Sequence, residues 1–281
     1  MATAPDRSKD AGHGRPPRRT VFGEVAEVYD GGRPGYAEEL VTEVLEYADL
    51  GGRAALEVGA GTGKATGLFA ARGVPVVCVE PDARMAEVLR HNTAAHPQVR
   101  VEVGDFEEWD PAGRRFGLLF AATSWHWVNP ERRWDLAHSV LEPGGSLALF
   151  WNPVAVVDPE LFAGLRDIDR FHGVEEPPHD ALASRYGPEA GTVDGVEGPG
   201  WPVNEIRRDG RFTDLRTVRF RQPMRYDTAR YLAFLTSVSA YRVIPERSLA
   251  QLLVETGRLL DSRGGAIDML RINDLVLART A

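Results

Sequence analysis

The sequence predicts an open α/β fold built on a largely parallel sheet with helices on both faces. Three observations carry this. From Leu50 onward, short β-branched runs alternate with helical stretches; a glycine-rich turn joins the first run to its helix; and the continuous apolar run Phe116 to Ala122 fits a strand buried on both faces. In order, Ala54 to Val58 reads as the first strand and Lys64 to Arg72 as the helix after the glycine turn. Val74 to Glu80 is the second strand. Pro81 and Asp82 suit the opening of a helix from Ala83 to about Ala95, with Met85, Val88 and Leu89 on one face. Val99 to Val103 and Phe116 to Ala122 are the third and fourth strands. Pro130 to Leu141 places Trp134, Ala137, Val140 and Leu141 at helical spacing, Pro143-Gly144-Gly145 turns the chain, and Ser146 to Trp151 is the fifth strand.

Beyond Asn152 the rhythm changes. Asp158 to Phe171, Thr228 to Ser239 and Pro245 to Ser262 read as helices, and Gly173 to Gly200, rich in Gly, Pro and acids, as a mobile loop. Strands at Thr217 to Phe220 and Ile272 to Ala278 are expected to extend the sheet.

Composition narrows the function. The 281 residues carry 33 basic and 41 acidic side chains, a formal net charge of -8, which disfavours a general nucleic-acid binder. Cys78 is the single cysteine, so neither an intrachain disulfide nor a cysteine-rich metal cluster is available, and the cytoplasm is the expected compartment. The histidines show no metal-site spacing. The most apolar stretch, Val140 to Val157, is interrupted by Pro143, Gly144, Gly145 and Pro153 and is not a membrane span. Met1 to Thr20 has basic residues but no apolar core of a secretion signal, and reads as a disordered tail.

A strand running into Gly59-Ala60-Gly61-Thr62-Gly63 before a helix is a nucleotide-binding arrangement, because glycines admit a ligand close to the backbone and the helix N-terminus offers free N–H groups. A phosphate-binding P-loop is excluded by Val58 and Ala65, which stand where it needs a glycine and a hydroxyl. The dinucleotide form needs a glycine at the position of Lys64.

With that spacing, Leu56-Glu57-Val58-Gly59-Ala60-Gly61-Thr62-Gly63 resembles motif I of class I S-adenosylmethionine-dependent methyltransferases. The resemblance extends over residues 22 to 151. It implies a Rossmann-like core at residues 50–152, an N-terminal lid at 21–49, and a substrate cap with the last strands at 153–281. It implies cofactor contacts at Glu57, Gly59, Ala60, Gly61 and Gly63. Glu80, followed by Pro81 and Met85, corresponds to the acid that accepts from the ribose hydroxyls. Gly104-Asp105-Phe106 corresponds to the adenine end, and Ala121 lies near the end of the fourth strand. Pro143-Gly144-Gly145 resembles the family's turn before the fifth strand. Phe22 to Asp30 and Arg33-Pro34-Gly35-Tyr36 resemble the lid of the trans-aconitate-like branch, in which Tyr29 and Arg33 would close over the methionine end of the cofactor.

Ligands of open α/β sheets sit at the carboxyl ends of the strands, so Ala121 to Trp127 is expected to face the methyl group. His126 is the candidate base, its titration range suiting removal of a proton from an attacking hydroxyl, amine or acidic carbon; its other role is to shape the pocket. Trp125 and Trp127 read as apolar walls. A carboxylate acceptor would arrive ionised and need no base. In the cap, Tyr231, Phe234, Ser237, Ser239 and Tyr241 are candidate acceptor contacts or helix core. The expected activity is transfer of a methyl group to an O, N or C atom of a small molecule. A non-methylating cyclase or isomerase that keeps the cofactor, and a silent cofactor-binding module, stay open.

Overall fold

The computed structural model describes residues 34–175 and 200–281. Five parallel strands, β1 (Ala55–Val58), β2 (Val76–Glu80), β3 (Val99–Val103), β4 (Phe116–Ala122) and β5 (Leu141–Trp151), lie in the order β3-β2-β1-β4-β5. The sheet is completed by β6 (Val154–Val156), β7 (Phe212–Asp227) and β8 (Ala266–Thr280), with β8 antiparallel to β5, β6 and β7. Before β1 comes α1 (Glu38–Ala48); α2 (Lys64–Ala71), α3 (Ala83–Asn92) and α4 (Arg133–Val140) belong to the parallel half. The C-terminal part adds α5 (Pro159–Phe171), α6 (Val203–Asp209), α7 (Thr228–Ser237), α8 (Ser239–Arg242) and α9 (Glu246–Ser262).

Side chains alternate across the sheet, and each set has its own cover. Ala55, Leu118, Phe120 and Phe150 share one core with Leu40, Val44 and Phe69 from α1 and α2. There Phe69 stacks on Phe120 at 4.2 Å, and Phe120 on Phe150 at 6.2 Å. Leu56, Leu119, Ala121, Leu147 and Leu149 face the other way, onto Ala137 and Val140 of α4 and Val203 and Ile206 of α6. A third core joins α5, α7, α8 and α9 to the first half of β8 through Leu161, Leu165, Tyr231, Phe234, Leu252, Leu260, Ile267 and Met269. Tyr231, Phe234, Ser237 and Tyr241 are buried among these C-terminal helices, where the helix-core alternative places them.

Several expected boundaries move. The helix expected from Pro130 starts at Arg133, because Asn129 first closes a turn: its side chain accepts from the Glu131 N–H at 2.9 Å and its carbonyl from the Arg132 and Arg133 N–H groups. Pro143-Gly144-Gly145 does not end a segment. It lies within β5 as an irregularity against β4, with Gly145 pressed so closely that an added Cβ would stand 2.8 Å from the Glu142 carbonyl oxygen. The helix expected to reach Ser239 stops at Ser237, before Val238 turns extended. The two late strands are longer than expected, since cross-strand pairs such as Arg225–Asp268 let charged residues continue the ladder. Helix α6 and strand β6 were not foreseen. The expected loop at Gly173 to Gly200 lies mostly outside the described residues. Among the described residues no helix is long and apolar enough to cross a membrane, and no group of His, Cys, Asp and Glu is placed to hold a metal ion.

Candidate active site

Between β1 and β4 the strand order reverses, which opens a crevice at the carboxyl edge of the sheet. A cavity with about 1040 Å³ of empty space runs along that edge. Its middle is the glycine loop, Val58 to Thr62, with Lys64 and Ala65 of α2. One end is Glu80, Pro81, Met85, Asp105, Phe106 and Glu107 beyond β2 and β3, and the other is Pro34, Tyr36, Thr123, Ser124, Trp127 and Asn152 beyond β4 and β5. From β2 to β5 there are three strand spacings, roughly 14 Å, so one elongated ligand or two ligands end to end are accommodated.

The loop is held by its own neighbours. Glu80, at the end of β2 and 5% exposed, accepts from the Gly61 N–H through Oε2 at 2.8 Å and from the Asp82 N–H through Oε1 at 3.0 Å. Burial pushes its carboxyl above the usual range against the pull of those two donors. Each carboxylate oxygen keeps further acceptor capacity. At Gly59 the backbone is left-handed, φ +68°, and an added Cβ would stand 2.6 Å from Cβ of Ser124, whose hydroxyl donates to the Val58 carbonyl. Gly63 caps α2 in the left-handed region and packs on α3, where a Cβ would meet Leu89 Cδ1 at 2.4 Å.

Glu57 sits on the cavity floor in the middle of β1. The Thr66 hydroxyl donates to its Oε2 at 2.5 Å, and its buried Oε1 has no hydrogen-bond partner among the described residues. Burial pushes the carboxyl from 4.5 up to about 8. Because the folded protein holds this proton more tightly than the unfolded chain, the resulting stability is full below about pH 4.5 and is lost as pH rises through about 8. Thermal melts across that window should therefore show Glu57→Gln with a flatter loss than wild type, a difference on the order of a few kcal/mol at the alkaline end. Parallel profiles would mean that Glu57 is ionised throughout.

At the opposite end the groups interlock. Asn152 Nδ2 donates to the Pro34 carbonyl at 2.7 Å, the Thr123 hydroxyl donates to Asn152 Oδ1 at 3.1 Å, and Tyr36 and Thr123 are hydroxyl to hydroxyl at 2.9 Å. Thr123 adopts φ +57°, uncommon for a β-branched residue. Trp127 forms the wall, and the His126 ring packs against it at 4.7 Å between centroids.

Of the residues expected from sequence, Glu57, Gly59, Ala60, Gly61, Glu80, Pro81, Met85, Asp105 and Phe106 line the cavity. Gly63, Gly104, Ala121 and His126 are not among its lining: Gly63 packs on α3, the Gly104 N–H bonds the Glu80 carbonyl, Ala121 points into the α4 core, and the His126 ring packs against Trp127. Tyr29 and Arg33 lie outside the described residues. Sequence reasoning did not single out Pro34, Tyr36, Thr123, Glu107 or Asn152 as site residues. Thr123 and Asn152 directly follow β4 and β5, and that shared position at the carboxyl edge was the signal to use.

Comparison with known proteins agrees with this geometry. Residues 55–145 match the family described as a methyltransferase domain. An uncharacterized methyltransferase of Mycobacterium tuberculosis is 40% identical over 131 residues, which are 47% of this chain and 51% of that protein. One from Schizosaccharomyces pombe is 30% identical over 137 residues, 48% of this chain and 53% of the relative. The chain thus spans about half the length of the curated relatives it matches. Among solved structures, a candidate type II methyltransferase from Anaeromyxobacter dehalogenans superposes with a TM-score of 0.56 at 22% identity, covering 88% of this chain and 97% of its own. The YcgJ protein of Bacillus subtilis gives 0.51 at 14% identity, covering 87% and 99%. The chain has the Rossmann-like α/β fold of methyltransferases.

Proposed function

We propose that this protein is a cytoplasmic S-adenosylmethionine-dependent methyltransferase that places a methyl group on an O, N or C atom of a small-molecule acceptor. The observation that carries this reading is the cavity itself, continuous from the acids after β2 and β3, past the glycine loop, to the polar cluster after β4 and β5. The residues fit the cofactor's chemistry. Glu80 offers acceptor oxygens to the ribose hydroxyls, Asp105 with Phe106 suits the adenine, and Pro81 and Met85 flank them. Gly59, Ala60 and Gly61 let a ligand lie against the backbone, and Glu57 Oε1, without a hydrogen-bond partner among the described residues, suits a donor group of the ligand. Gly63, Gly104 and Ala121 keep the loop and strands in place. From the resemblance we carry over Tyr29 and Arg33 as contacts to the methionine end. When bound, the cofactor supplies an electrophilic methyl group, so the chain's own task is alignment and exclusion of water.

Within this class we favour the trans-aconitate-like branch, on the Phe22 to Tyr36 segment, whose Pro34 and Tyr36 reach the cavity. We assign residues 21–49 to the lid, 50–152 to cofactor binding and 153–281 to the cap with the last strands. Titration calorimetry tests the reading: S-adenosylmethionine and S-adenosylhomocysteine should each bind in a one-to-one ratio. Folded protein that takes up neither would reject it.

Of the two roles open to His126, support of the Trp127 wall is the one its position favours. His126→Gln should then keep turnover within about tenfold of wild type with a similar pH profile, whereas a general base contributes roughly 10²-fold or more. A hundredfold loss, with wild-type rates that fall as the imidazole protonates, would make it the base.

A further inference from the structure

Residues 34–37 lead into α1 as neither helix nor strand, so their backbone groups have no ladder of their own and need partners from elsewhere. Side chains from the sheet supply them. Asn152 Nδ2 donates to the Pro34 carbonyl at 2.7 Å, Arg271 Nη1 donates to the Gly35 carbonyl at 3.2 Å, and Asn273 Oδ1 accepts from the Ala37 N–H at 3.0 Å. These partners lie 118 and 236 residues further along the chain, after β5 and on β8. Ala37 is the N-cap residue of α1, so Asn273 also ties down the start of that helix.

The sheet explains why they meet. β5 pairs with β8 as far as Trp151 opposite Asp274, and β6 resumes with Val154 opposite Arg271, so Asn152 and Asn273 stand opposite each other at the step between the two strands. Alternation puts both on the α1 side, as polar ends of the rows that Ala148 and Phe150 and that Leu277 and Leu275 contribute to the first core. Arg271 shares that face and is half-buried. Asn273 is 1% exposed and also donates to the Trp151 carbonyl at 3.4 Å, which holds it from the other side. Neither Arg271 nor Asn273 lines the cavity, whereas Pro34 and Tyr36 of the segment they grip do.

We propose that Arg271 and Asn273 of β8 are positioning residues for ligand binding: they fasten residues 34–37 as the wall against the amino-acid half of the cofactor. This rests on the methyl-transfer reading, which sets the adenine by Asp105 and the ribose at Glu80, so that the rest of the cofactor points past the glycine loop toward Pro34 and Tyr36. The clasp grips main-chain atoms, and so fixes where the segment lies independently of its side chains. A segment without it would have to be ordered each time a ligand binds, and affinity would fall by that ordering cost. Only the part of the ligand that meets the segment would feel the loss.

The test uses the full chain and two ligands, S-adenosylhomocysteine and methylthioadenosine, which has the nucleoside and the sulfur but no amino-acid half. In titration calorimetry Arg271→Met should weaken S-adenosylhomocysteine by about three- to tenfold, the range of one lost hydrogen bond, and methylthioadenosine by less than about twofold. Arg271→Lys keeps a donor for the Gly35 carbonyl and should restore most of the loss. Asn273→Ala should repeat the Arg271→Met pattern; thermal melts show which variants are folded, and the Arg271 pair carries the test should the buried site at 273 not tolerate alanine. A merely structural role for β8 predicts equal losses for both ligands. Equal losses, a folded Arg271→Met with wild-type affinity for S-adenosylhomocysteine, or no rescue by lysine would overturn the proposal. Failure of the wild type to bind S-adenosylhomocysteine would instead strike the methyl-transfer reading itself.

Discussion

Glu80→Ala should weaken S-adenosylmethionine binding by roughly 10- to 150-fold, from the loss of about 1.5 to 3 kcal/mol of hydrogen bonding to a charged acceptor. The effect has two sources in the structure. In the proposed reading the carboxylate receives the ribose hydroxyls, and in the structure it is the clamp that receives the Gly61 and Asp82 N–H groups at 2.8 and 3.0 Å. Removing it takes away ligand contacts and loosens the loop on which the ligand lies. Melting temperature should fall together with affinity, and calorimetry beside a thermal melt separates the two. A folded variant with wild-type affinity would show that Glu80 is not the ribose acid.

Gly59→Ala should destabilise the fold by about 2 to 4 kcal/mol, the sum of a left-handed backbone penalty and overpacking in a tight site. The added methyl would lie 2.6 Å from Ser124 Cβ and 3.1 Å from its Oγ. Ser124 cannot turn aside without giving up its bond to the Val58 carbonyl. Gly61→Ala is the useful contrast, since its nearest atom is Met85 Cε at 3.7 Å. It should cost only about 1 kcal/mol of backbone strain and act mainly on cofactor affinity, because it borders the cavity. Urea titrations of both variants check the ranking, and equal losses would contradict the packing described at Gly59.

The parallel half of the fold was legible because its signals are local. Strands β1 to β4 are short apolar or alternating runs, and the Gly59 to Gly63 turn is punctuated by residues that few other conformations need. Legibility failed where stability comes from pairing at a distance. Arg225 makes the far half of β7 look too charged for a strand until Asp268 is set opposite it. The site divides the same way. The end proposed for the cofactor lies within motifs contiguous in sequence, whereas the opposite end of the cavity joins Tyr36, Thr123 and Asn152, separated by 87 and 29 residues. Gly63 and His126 show the opposite limit, since a motif position does not reveal which neighbour a residue packs against, Leu89 for the one and Trp127 for the other.

The central claim, methyl transfer from S-adenosylmethionine to a small molecule, is tested most directly by incubating the full chain with methyl-labelled cofactor and a metabolite extract while following S-adenosylhomocysteine. The account predicts a labelled small-molecule product formed one-to-one with S-adenosylhomocysteine, and loss of both in Glu80→Ala at subsaturating cofactor. A changed metabolite with no gain of label and no cofactor consumed would contradict it in favour of a cyclase or isomerase, and tight cofactor binding without any product would contradict it in favour of a silent binding module.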